Sequence, residues 1–173
     1  MNMETPRIIA LNGEVNESSS LRVILELLNL NLESKEKPIH LYINSEGGSI
    51  LHGLAIYDVI KQIEAPVYTF CCGIAASMGA FLLSCGEKGH RYSLPHSRIL
   101  IHQPLVYLDS TVMRTQSKIS EMAKRLSKNR DQLESIMAEN TGNSLETIHK
   151  DCERDNWMSA IEAQKYGLID KIL

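Results

Sequence analysis

Val67-Tyr68-Thr69-Phe70-Cys71-Cys72-Gly73-Ile74-Ala75-Ala76-Ser77-Met78-Gly79-Ala80-Phe81-Leu82-Leu83-Ser84-Cys85-Gly86 is a twenty-residue stretch without one charged side chain. Its reading decides the fold. The length suffices to cross a bilayer, but Gly73, Gly79 and Gly86, with Thr69, Ser77 and Ser84, dilute it, and its apolar period changes midway. We read it as a strand over residues 67–71, a tight turn, and a helix over 76–85, with no membrane span.

Working outward, the same alternation repeats on both sides. Residues 39–43 read as a strand and 44–49 as a glycine loop. Helical spacing follows through Leu51, Ala55, Val59 and Ile63, and Pro66 stops it. Upstream, residues 7–11 form a β-type run ending in Asn12-Gly13. Ser18-Ser19-Ser20 then offers a cap to a helix over 21–32 with apolar residues at 21, 24, 25, 28 and 32. Downstream, 91–93 and 98–101 read as short strands. A last helix opens at Ser159 with a capping box to Glu162 and ends near Gly167, and 168–173 closes as a strand. Strands separated by helices of about a dozen residues need crossover connections and hence a parallel sheet. The expectation is one α/β domain over residues 1–173.

Composition narrows the class further. The 173 residues carry 18 Lys+Arg against 21 Asp+Glu, so no basic footprint exists for nucleic acid or an anionic membrane. With 43% apolar residues the chain can fill a core, which excludes disorder. Residues 1–12 include Glu4, Pro6 and Arg7 before any apolar block and do not read as a secretory signal. Cys71, Cys72, Cys85 and Cys152 form no C-x-x-C pair and no ligand spacing; they read as buried, reduced thiols. No metal site is expected.

Residues 110–140 follow another rule. Val112, Ile119, Leu126 and Leu133 recur every seven residues, Met122 and Ile136 are apolar three positions after Ile119 and Leu133 while Thr115 and Asn129 are not, and charges fill most of the rest. A helix of about thirty residues with one narrow apolar stripe is built to meet another helix or to lie on its own sheet. The spacing alone leaves both open.

For chemistry, Ser77 stands where a strand turns into a helix, among small residues that let another chain approach its Oγ. Free N–H groups at a helix start favour negative charge there. A plain helix cap is the competing reading, and Ala75 removes the G-x-S-x-G pattern. Gly47-Gly48-Ser49 forms a second glycine turn at the same sheet edge, where active sites gather. No G-x-x-x-x-G-K-[ST] occurs, so any ATP would be used by a partner. Serine needs a base. Of six histidines, His102 ends the apolar run Ile99-Leu100-Ile101 at a strand terminus, whereas His40 lies in a strand and His52 and His149 on helices. For an orienting acid, Asp109, Asp151, Asp155 and Asp170 all remain open.

At residues 75–83, Ala-Ala-Ser-Met-Gly-Ala-Phe-Leu-Leu, the chain resembles the proteolytic subunits of the Clp protease family. Leu41-Tyr42-Ile43-Asn44-Ser45, Gly47-Gly48-Ser49, residues 53–58, Ile101-His102-Gln103-Pro104, Thr141-Gly142, Glu153-Arg154-Asp155-Asn156 and Tyr166-Gly167-Leu168-Ile169-Asp170 carry the likeness across residues 7–173. The resemblance implies a crotonase-like fold with a long protruding handle helix, about residues 110–140. It implies a serine endopeptidase with Ser77 as nucleophile, His102 as base and Asp155 as acid, and the Gly48 and Met78 N–H groups as oxyanion donors. The order Ser, His, Asp differs from that of the familiar serine-hydrolase lineages.

Further implications concern assembly. They are two stacked seven-membered rings enclosing a chamber, a cytoplasmic location, unfolded proteins as substrates, and an AAA+ unfoldase that spends ATP. The chain itself would need no cofactor. Ile119 and Leu126 on the handle, and Arg154 beside the acid, would contact other subunits. Three departures stand out. The chain starts almost at its first strand, which leaves out most of the family's pore-lining segment and puts coupling to an unfoldase in question. Glu46 replaces a usual proline beside the oxyanion loop, and Leu105-Val106-Tyr107-Leu108-Asp109 replaces a glycine-rich turn. They suggest as the alternative a divergent, catalytically silent or regulatory ring subunit that depends on an active paralogue.

Overall fold

A computed structural model describes residues 6–105 and 115–173. Its strands are β1 (Ile8–Asn12), β2 (Ile39–Ser45), β3 (Val67–Ala76), β4 (Arg91–Ser93), β5 (Arg98–Ile101), β6 (Asn156–Ser159) and β7 (Lys171–Ile172). The helices among the described residues are α1 (Glu17–Glu33), α2 (Ile50–Gln62), α3 (Met78–Ser84), α4 (Gln116–Thr141), α5 (Leu145–Asp151) and α6 (Ala160–Tyr166). The sheet runs β1-β2-β3-β4-β7 in parallel, and β5 branches from the far half of β3 to pair antiparallel with β6. The expected α/β alternation and parallel sheet are therefore observed.

Alternation along the strands explains the layers. In β2, Ile39, Leu41 and Ile43 are fully buried and pack with Val23, Leu27, Ile56 and Phe81 of the helices. The intervening His40 and Tyr42 face the other way, where rings stack across three strands: Tyr42 on Phe70 at 4.6 Å and Phe70 on Tyr92 at 4.8 Å. One sheet face is thus the core, and the other is a partly exposed aromatic row.

The deciding stretch is longer as a strand than its sequence suggests. β3 continues to Ala76, and α3 begins only at Met78. The reason is a bulge: Ile43 pairs with Cys71, but Ser45 pairs with Ala75. Two extra residues are thereby inserted opposite Asn44. At this point β3 exchanges β4 for β5 as its neighbour. The freed main-chain groups are satisfied by side chains. Gly73 N donates to Ser97 Oγ (3.1 Å), Ser97 Oγ donates to Cys71 O (3.1 Å), and Ile74 N donates to Asn44 Oδ1 (3.3 Å). Gly73 takes φ +96, and a Cβ there would sit 2.7 Å from Asn44 Oδ1, so glycine is required twice over.

Other differences are local. The cap of α1 is Asn16 rather than the serine run, because Asn16 and Ser19 exchange side-chain to main-chain hydrogen bonds in a capping box. The Ser159–Glu162 box of α6 and its Gly167 terminus form as expected. Cys71, Cys85 and Cys152 are buried, but Cys72 is exposed because it lies on the bulge. The terminal strand shortens to β7, α5 is the helix on which the sequence places His149, and β6 has no counterpart in the sequence reading.

The handle expected over 110–140 is described as α4 from Gln116; its first residues, with Val112 and Asp109, fall outside the described residues. Its two halves differ. Leu133 and Met137 join the core, whereas Ile119 is 52% exposed. Packing on the chain's own core thus accounts for the C-terminal half of the stripe and leaves the N-terminal half open. Among the described residues, no helix is long and apolar enough to cross a membrane.

Candidate active site

The bulge and strand exchange create the site. Ser77 follows β3 directly with φ 54 and ψ −119, the only described non-glycine residue at positive φ. Such a conformation costs on the order of 1–3 kcal/mol and persists only where surroundings enforce it. Here the enforcement is main-chain: Ser77 N donates to Leu100 O (2.9 Å), and Ser77 O accepts from Phe81 N (3.0 Å). The side chain makes no cap hydrogen bond, so the plain helix-cap reading is not what the hydroxyl does. Ser77 is half-buried, while the rest of α3 behind it is fully buried.

The second glycine turn lies against this elbow. A Cβ on Gly47 would stand 2.7 Å from both Ala76 O and Ser77 Cβ, and 3.0 Å from Met78 N. The turn is pinned by Val15, whose N donates to Gly47 O (2.7 Å) and whose O accepts from Ser49 N (2.8 Å). These bonds leave out the N–H of Gly48. Among the described residues, neither Gly48 N–H nor Met78 N–H has a hydrogen-bond acceptor, and free donors of this kind at a helix start suit an anion.

His102 comes from the other partner of β3. The Leu100 carbonyl that holds Ser77 lies two residues before His102, so the β3–β5 pairing brings strand end and elbow together. Both residues line a cavity of about 40 Å³ with Ile50, Phe81, Pro104 and Met137. Among the described residues, no hydrogen bond yet joins Ser77 to His102. The antiparallel β5–β6 ladder ends at Ile101 opposite Asn156, and one rung further His102 faces Asp155. Nδ1 lies 3.5 Å from Asp155 Oδ1, with the His102 side chain 13% exposed and that of Asp155 67% exposed. Of the four candidate acids, Asp155 is thus brought to His102. Asp170 is taken by Arg91, Asp151 accepts from Tyr166 Oη, and Asp109 is outside the described residues.

The Cys152 thiol lines the same cavity, but burial, with the nearby Glu134 carboxylate adding to it, pushes its pKa up to about 12. No group of three or more metal-ligating side chains occurs among the described residues.

Behind His102, a polar cluster went unread in the sequence. Arg130 donates to Glu134 Oε1 (2.6 Å), to Gln103 Oε1 (3.2 Å) and to His149 O (3.1 Å). His149 Nδ1 lies 2.8 Å from Glu134 Oε2, and Gln103 donates to Cys152 O (2.5 Å) and Glu153 O (2.9 Å). The Arg130–Glu134 spacing on one helix face was a usable signal. Ile119 and Leu126 lie on α4, exposed and half-buried, and Arg154 is exposed without a partner among the described residues.

Comparison with known proteins identifies the family. A family model described as Clp protease matches residues 1–173. Curated relatives named ATP-dependent Clp protease proteolytic subunit 2 come from three strains of Prochlorococcus marinus. The protein of strain MIT 9312 is 50% identical over 167 residues, 96% of this chain and 81% of the relative. Those of strains MIT 9313 and NATL2A are 49% and 48% identical over the same length, each covered to 82%. By a match over its whole length and identity at about half of its positions, the chain belongs to the Clp protease family.

Proposed function

We propose that Ser77, His102 and Asp155 are the catalytic triad of this peptidase, with Gly48 and Met78 N–H as the oxyanion hole. Family membership makes the chain a serine peptidase, the proteolytic subunit of a chambered protease. The observation that carries the residue assignment is the convergence of three elements. A strained serine heads α3, it shares a cavity with His102, and His102 faces Asp155 across the sheet.

In this reading Ser77 Oγ attacks the scissile carbonyl carbon while His102 Nε2 takes its proton. The carbonyl oxygen, now negative, accepts from the Gly48 and Met78 amides. His102 then protonates the leaving amine as the C–N bond breaks, and water hydrolyses the acyl-enzyme by the same steps. Asp155 orients the imidazole through Nδ1. The 3.5 Å separation is long for a hydrogen bond, as catalytic bonds often are before substrate binds. The lining, apolar at Ile50, Phe81, Leu133 and Met137 and charged at the mutually paired Arg130 and Glu134, suits a small side chain next to the scissile bond.

Labelling with a fluorophosphonate tests the assignment. An adduct on Ser77, with Ser77→Ala losing peptidase activity by at least ~10⁴-fold while keeping its assembly, is the expected result. No adduct in the unaltered protein overturns it and restores the silent-subunit reading.

Assembly into stacked heptameric rings that work with an AAA+ unfoldase is the accompanying proposal. Its support is the apolar surface the single chain leaves uncovered: Leu21, Leu25, Leu28 and Leu32 along α1, and Ile119 on α4. Arg154, exposed beside Asp155, is available to a neighbouring subunit. Ile119→Asp with Leu126→Asp should split the assembly to half its mass in native mass spectrometry; unchanged mass removes α4 from the interface.

A further inference from the structure

The cluster behind His102 joins the three chain segments on which the site depends. Residues 102–104 leave β5 carrying His102, residues 152–155 lead into β6 carrying Asp155, and α4 runs behind both. Gln103 spans the first two: its main-chain N–H donates to Cys152 O, and its side-chain amide donates to Glu153 O. The amide oxygen, facing the other way, accepts from Arg130 of α4. Arg130 is itself fixed by Glu134, one turn along the helix, and by the carbonyl of His149 at the end of α5. Glu134 is 4% exposed, and its second oxygen is held by the His149 ring.

Every donor in this arrangement is directed. With its oxygen on Arg130 the Gln103 amide must present its NH₂ to Glu153, and a flipped amide would set two donors against each other. The guanidinium therefore fixes which way Gln103 points and, through Glu153, where the turn holding Asp155 lies. Asp155 is 67% exposed, and among the described residues its side chain meets only His102, at 3.5 Å, so this turn and the ladder that follows it set its place.

Resting on the triad reading above, we propose that Gln103, oriented by Arg130 and Glu134 of α4, is a positioning residue that sets the approach of Asp155 to His102. It touches neither substrate nor reacting atoms. Its influence is on how well the imidazole is oriented and how readily it takes the serine proton.

The test uses the full chain and a short fluorogenic peptide. Arg130→Met with Glu134→Leu removes the charges as a pair and refills their volume, so no unpaired charge is left buried; Gln103→Ala removes the bridge alone. Expected for each is a kcat lower by about 10- to 50-fold; Gln103→Ala should keep KM within about twofold, since only orientation in the transition state is lost, whereas Arg130 and Glu134 also line the cavity of Ser77 and His102 and the pair variant is read on kcat alone. The acid limb of the kcat/KM profile, which reports the base, should shift in both. Combining the changes should cost no more than either alone, because both act through one bridge. Thermal unfolding near that of the unaltered protein shows that the loss is not one of fold.

Unchanged kcat, a loss in Gln103→Ala confined to KM, or losses that multiply in the combined variant would overturn the positioning role. Unfolding of the charge-pair variant leaves Gln103→Ala to decide. Should the unaltered protein form no Ser77 adduct, the triad reading fails and this role with it. An adduct accompanied by unaltered variant kinetics defeats the positioning role alone.

Discussion

Ser77 and Asp155, the two ends of the proposed triad, are secured in opposite ways. Ser77 is clamped by main chain: a bulge before it, hydrogen bonds to Leu100 and Phe81, and a fully buried helix behind it. Asp155 is two-thirds exposed at the end of a short ladder, 3.5 Å from its imidazole. The difference teaches where adjustment is possible. A conformation held by main-chain hydrogen bonds and a packed core responds little to surroundings, whereas a solvated carboxylate can be moved by modest forces. In the proposed triad Ser77 is preorganised, and Asp155 is the adjustable member.

Substitution on each side tests that contrast. On the clamped side, Gly47→Ala forces a methyl group against Ala76 O and Ser77 Cβ and strains a backbone at φ +97. Displacing the oxyanion turn should lower kcat by about 10²–10³-fold, the range for losing one such donor. Peptide hydrolysis near the unaltered rate would break the comparison from this side. On the adjustable side, Asp155→Asn should cost about 10- to 100-fold, well below the ~10⁴-fold penalty of altering a buried triad acid. A loss of 10⁴ in the same assay would mean that Asp155 is as firmly engaged as Ser77 is, and no loss at all would remove it from the triad.

A third change serves as the control, because it weakens the fold away from both halves. Arg91 and Asp170 form a bidentate pair, with Nη2–Oδ1 at 2.6 Å and side chains 4% and 18% exposed. Burial raises the Asp170 pKa, but hydrogen bonds and charge from Arg91 outweigh it, and the carboxyl sits below its usual value. The folded pKa being the lower one, the stabilisation is complete above the unfolded carboxylate pKa of ~3.9. It fades as pH falls through the folded value. Asp170→Asn should therefore lower stability at neutral pH by about 3 kcal/mol and flatten its decline in acid, measured by denaturant melts at several pH values. The residual enzyme should keep its kcat, the smallest effect of the series on chemistry.

How much of this was legible in the sequence depended on whether signals were local. Alternation in β2 and helical spacing in α2 are written in consecutive residues, and both were read nearly to their ends. Ser77 and His102 were also approachable, since a small-residue turn and a strand-terminal histidine are local patterns. Asp155 was not distinguishable from Asp151 or Asp170 by residue physics. What selects it is β6, a four-residue antiparallel strand whose partner lies more than fifty positions earlier and whose sequence, Asn-Trp-Met-Ser, has little β character. The family resemblance supplied the residue that periodicity could not. The end of β3 was misjudged for a related reason: glycine at 73 resembles a terminus, while in the fold Ser97 and Asn44, remote in sequence, carry the strand through it.

That detour in β3 has a numerical property with a consequence of its own. An insertion of one residue would exchange inside for outside along everything that follows; an insertion of two preserves parity. Thr69 and Cys71 before the detour and Ala75 after it all point into the interior. The sheet accordingly tolerates the extra pair without rewriting its apolar code, and β3 is back in phase with β2 at Ala75, two residues before the hydroxyl at its tip.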